Sequence, residues 1–117
     1  MDTPFYELRL LSKNEDGCDA QVVLNTDHPV YKGHFPNQPV APGVMLMDMC
    51  REVAEKAIGK EVRIKSARSI KFVKLIDPTK IQCLTLILKF VESEDSTLFQ
   101  CVAKVGEDTY FKILASI

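Results

Sequence analysis

The chain has 117 residues, 46% of them hydrophobic and 26% charged, with a formal net charge of −1. This length fits one domain over residues 1–117 with a single core and little room for a deep internal chamber, so a site for a long substrate is easier to build between two subunits. The near-neutral balance, with no basic arm and no zinc-knuckle spacing, argues against nucleic-acid binding, and no apolar run approaches the length that spans a bilayer.

The opening residues Met1 to Glu7 lack a basic start followed by an apolar stretch, so no secretory signal is read there and the cytoplasm is the expected compartment. Tyr6 to Leu11 reads as a short strand or one helical turn, Asn14 to Gly17 as a turn, and Cys18 to Asn25 as a strand. From Asp27 to Gly43 the chain carries Pro29, Pro36, Pro39 and Pro42, which forbid a regular helix across the stretch. Apolar residues are kept there, as in a stiff loop packed in one shape. Residues 44–58 read as the one long helix, with Leu46, Cys50, Val53, Ala54 and Ala57 at helical spacing and Gly59 as C-cap. Its first half is apolar nearly all round and is expected to be deeply buried. Strands are expected over 62–76, 81–91, 98–105 and 109–117, with Phe99, Cys101, Ala103 and Val105 on one face. One helix and about five or six strands joined by short loops give an α+β domain with an antiparallel sheet. The cysteines at 18, 50, 83 and 101 lie in apolar patterns, as buried free thiols do, and no metal-ligand spacing appears.

Chemistry concentrates in the segment Gly33-His34-Phe35-Pro36-Asn37-Gln38-Pro39-Val40-Ala41-Pro42-Gly43-Val44 and in Asp48. Asp48 lies about one and a half turns into the helix, too late for an N-cap. Its sequence neighbours are apolar, and a carboxylate buried among them should be harder to ionise, the direction a general acid needs. The alternative is a structural carboxylate bonded to a backbone amide or to Tyr31. His34, on a stiff apolar loop, is suited to accept a proton near neutrality or to serve structure alone. His28, beside Pro29, reads as a loop residue. Gly43 opens the helix, where free N–H groups and partial positive charge can hold an oxyanion. A base, an acid and an oxyanion donor are what loss of water from a 3-hydroxy thioester requires.

The run GHFPNQPVAPG followed by Asp48 resembles the active-site signature of the 3-hydroxyacyl-(acyl-carrier-protein) dehydratases, G-H-F-P-x-x-P-x-x-P-G and then an acidic residue early in the helix. The resemblance extends more weakly over residues 20 to 115. It implies a hot-dog fold, a curved antiparallel sheet wrapped around the long helix. It further implies His34 as catalytic base, the Gly43 N–H as thioester oxygen donor, and Asp48 of the partner subunit as acid in a homodimer. Dimers could assemble further. The substrate would ride on the phosphopantetheine of an acyl carrier protein, with no metal or redox cofactor. Phe35, Val40, Val44 and Met47 would line the acyl tunnel. Arg68, Lys71 and Lys74, in a basic stretch that begins at Arg63 and Lys65, would dock the acidic carrier, unless these charges only solvate a strand. The chain departs from the signature at Asp48, where simple dehydratases carry Glu. It departs again at Glu52, where Gln is usual, and at the missing His-Arg-x-Pro opening. The last two departures are better tolerated in a specialised pathway making a polyene, pigment or other lipid than in standard fatty-acid elongation. Two other readings stay open: an acyl-thioesterase, and a non-catalytic subunit of a synthase assembly.

Overall fold

The computed structural model describes residues 3–33 and 39–117. In chain order it has β1 (Tyr6–Lys13), β2 (Gly17–Leu24), α1 (Val30–Gly33), α2 (Gly43–Ile58), β3 (Ser66–Phe72), β4 (Cys83–Glu92), β5 (Thr97–Val105) and β6 (Asp108–Ser116). The strands form one sheet in the order β1-β2-β4-β5-β6-β3, antiparallel at every pairing. β1 is therefore a strand from its first residue, not a helical turn.

Period-two alternation decides which side of the sheet meets the helix. Leu84, Leu86 and Leu88 of β4, Phe99, Cys101 and Ala103 of β5, and Phe111, Ile113 and Ala115 of β6 are all within 1% of complete burial. Against them α2 sets Leu46, Met49, Cys50, Val53 and Ala54. The expected inward face of β5 is thus correct. Turn chemistry fixes the register of the first hairpin: Asn14 Oδ1 accepts from the N–H groups of Asp16 (3.1 Å) and Gly17 (2.9 Å).

Three expectations need correction. The proline-rich stretch admits one helical turn, α1, which starts at Val30 just after Pro29. His28 Nδ1 accepts from the Val30 N–H at 3.0 Å, so this imidazole caps the turn. The strand expected over 62–76 is only Ser66–Phe72; residues 61–65 run outside the sheet, and the chain turns away after Phe72. Cys83 is exposed, whereas Cys18, Cys50 and Cys101 are buried. The reason is parity: Leu84 points into the core, so residue 83 must point out.

Candidate active site

α2 begins without a side-chain cap. Pro42 stands at the N-cap in extended conformation (φ −67°, ψ 139°), and among the described residues no side chain caps the helix start. Such an end keeps donors and partial positive charge available for an anionic oxygen. Gly43 is needed here for space. A methyl group on it would stand 2.7 Å from Cζ of Phe72, so the aromatic ring of β3 closes directly over the helix start. At the far end Gly59 takes the left-handed conformation (φ 84°), and its N–H returns to the Glu55 carbonyl at 2.7 Å.

The first half of α2 is not buried on all sides. Leu46, Met49 and Cys50 face the sheet, but Val44 is 73% exposed and the Asp48 side chain is 60% exposed. The expectation of a carboxylate sealed among apolar neighbours is wrong for the single chain. The sheet of one chain covers one side of the helix only, and residue 48 falls on the other. Met45 and Met47 are half-buried at its margins.

Asp48 is instead part of an ordered polar chain. Its Oδ1 accepts from Nε of Arg51 at 2.8 Å. Arg51 Nη1 pairs with Glu55 Oε2 at 2.9 Å and donates to the Val62 carbonyl at 3.2 Å. Glu55 Oε2 also accepts from the Val62 N–H at 3.0 Å. The hydrogen bond to Asp48 is the main reason that Arg51 holds its proton more firmly than a free arginine. β1 adds Tyr6 on the other side of the row. Burial pushes its phenol well above the usual range, and the nearby Glu52 carboxylate and then Asp48 push it further. Neither Arg51 nor Tyr6 was singled out in the sequence. The spacing of Asp48, Arg51 and Glu55 at i, i+3 and i+7 signals an ion-pair row on one helix face. Tyr6 has no such local signal, because only the sheet brings it to α2.

His34 and Phe35 lie outside the described residues. Of the other expected tunnel residues, Val40 and Met47 are half-buried and Val44 is open to solvent. Tyr31 does not bond Asp48: its hydroxyl is buried and without a hydrogen-bond partner among the described residues. Arg68, Lys71 and Lys74 are exposed on and just beyond β3. Lys74 also reaches Asp108 (3.6 Å) and lies 5.4 Å from the Tyr110 ring centre.

Comparisons with known proteins agree with this architecture. The ApeI-like family model, described as ApeI dehydratase, matches residues 11–111. The 3-hydroxyacyl-(acyl-carrier-protein) dehydratase FabZ of Streptococcus agalactiae is 30% identical over 105 residues, covering 83% of this chain and 74% of that protein. FabZ of Levilactobacillus brevis is 28% identical over 98 residues, and the match covers 77% of this chain but only 64% of the relative. Among solved structures, the dehydratase heterocomplex ApeI:P from Xenorhabdus doucetiae superposes with a TM-score of 0.76 at 20% identity, over 94% of this chain and 95% of that one. With a family model spanning most of its length and a long helix laid on one antiparallel sheet, the chain belongs to the ApeI-like dehydratase family, among the thioester dehydratases of hot-dog fold.

Proposed function

We propose that the protein removes water from 3-hydroxyacyl thioesters carried on acyl carrier protein, giving trans-2-enoyl thioesters for a specialised lipid or polyene. The observation that carries this reading is the GHFPNQPVAPG run leading into an uncapped helix whose Asp48 stands on the side the sheet leaves open. His34 takes the C2 proton, the Gly43 N–H holds the thioester oxygen as it gains charge, and Asp48 protonates the departing hydroxyl. An acid on an uncovered helix face suits a site completed by a second copy of the chain. The compartment is the cytoplasm, where four free thiols persist.

The test is incubation with a panel of 3-hydroxyacyl carrier-protein thioesters, read by mass spectrometry. Loss of water with the thioester intact is expected. Release of free thiol would establish the thioesterase instead. Turnover only after addition of a second hot-dog subunit would establish the non-catalytic role.

The carrier docks on Arg68, Lys71 and Lys74. Lys71 stands directly opposite Lys112 in the β3–β6 register, and two like charges side by side favour an acidic partner. Replacing Arg68 and Lys71 by Glu is expected to raise KM for carrier-linked substrate about 10-fold or more and to leave a pantetheine-linked analogue unaffected. Equal loss on both substrates removes the docking role.

A further inference from the structure

The reading of Asp48 as the acid raises a question of geometry: a short carboxylate on an open helix face has rotational freedom that a proton donor cannot keep. We propose that Arg51 is a positioning residue that fixes the Asp48 carboxyl group through Oδ1 and leaves Oδ2 to carry the proton that passes to the departing hydroxyl. This rests on Asp48 being the acid.

Three features carry it. Every described contact of the Asp48 carboxylate is made through Oδ1; among the described residues Oδ2 has no bonded partner. Arg51 is itself immobilised at two further points, Glu55 Oε2 and the Val62 carbonyl, and its side chain is only 25% exposed. Glu55 in turn is tied to the Val62 N–H, so the chain of bonds ends on backbone outside the helix. A guanidinium fork can serve three acceptors in fixed directions, whereas an ammonium is a single point charge. A surface pair of aspartate and arginine one turn apart commonly contributes little to stability. Here the same pair is braced from behind, and what the bracing fixes is the direction of a carboxylate. Misplacing a reacting group by about 1 Å is enough to cost on the order of 100-fold in rate.

The experiment compares R51M, R51K and D48N with the double variant R51M/D48N on a 3-hydroxyacyl carrier-protein thioester. R51M is expected to lower kcat about 10- to 100-fold with KM changed less than about 2-fold. R51K should recover part of the loss. In the D48N background, R51M should cost nothing further, because there is no acid left to position. If R51M lowers the residual activity of D48N as much as it lowers that of the natural protein, Arg51 acts through the fold and the proposal is overturned. It is also overturned if R51M raises kcat, since the grip is then inhibitory. Full activity in D48N alone is a different failure: it removes Asp48 as the acid.

Discussion

H34A and D48N are each expected to lose dehydration by about 1,000-fold, and mixing the two inactive proteins should restore about a quarter of the natural activity. The single losses follow from the size of general acid and base effects, commonly 100- to 10,000-fold. The recovery follows from where Asp48 stands. It projects from the side of α2 that its own sheet does not cover. If that side faces the histidine loop of a second copy, each site draws one residue from each chain. After random exchange of subunits, half of the dimers are mixed, and each mixed dimer regenerates one intact site of two. Activity is read on the carrier-linked substrate after subunit exchange, beside each variant alone. Sites built within one chain would give no recovery at any mixing ratio. Asn at 48 keeps the size of the side chain and removes its ability to give up a proton, so loss of folding is not the expected cause.

Much of this molecule was legible before its structure. The helix was readable because Leu46, Cys50, Val53 and Ala54 repeat at its period and Gly59 ends it in a left-handed turn. β5 was readable because Phe99, Cys101 and Ala103 alternate with polar residues. The surroundings of Asp48 were not. Val44 and Met45, four and three residues before it, share its helix face, but the chain's own sheet does not cover that face, so apolar neighbours do not bury residue 48. Whether an apolar side meets its own sheet or another subunit is a tertiary fact, and local periodicity is silent on it. Cys83 was misread for a related reason: a run of strand residues is apolar on average, yet parity with Leu84 turns the thiol outward. The shortening of β3 has a third cause. Apolar and basic residues continue from 62 to 76, but the ladder with β6 runs only from Ser66–Ser116 to Phe72–Phe111, and beyond it Val73 and Lys74 both donate to the one Tyr110 carbonyl, so regular pairing ends although β6 continues to Asp108.

I70K is expected to convert the protein to monomers and to remove most of its activity while leaving the single-chain fold intact. Residues opposite one another in an antiparallel pair share a face, so Ile70 lies with Ile113 and Phe72 with Phe111. Ile113 and Phe111 are at most 1% exposed, but Ile70 is 39% and Phe72 48% exposed, because β3 is an edge strand with a neighbour on one side only. Val73 and Leu75 continue the uncovered apolar surface at 58% and 72%, and Phe72 joins it to Gly43 and the 73% exposed Val44 at the helix start. Apolar side chains grouped on an edge strand beside the candidate site form a surface suited to burial against a second copy of the chain. In a monomer, a lysine at position 70 can carry its ammonium out to water, so little stability should be lost. In an interface the same ammonium is dehydrated without a partner, at a cost of several kcal/mol. The opposite edge provides the control. Leu10 of β1 is 54% exposed but stands among Glu7, Arg9 and Lys13, charges that keep an edge from pairing, and L10K should remain dimeric and active. Sedimentation gives the mass, thermal unfolding the stability, and turnover the composite site. A dimeric, active I70K protein would falsify the β3 interface; monomers that keep full turnover would show that one chain holds the whole site.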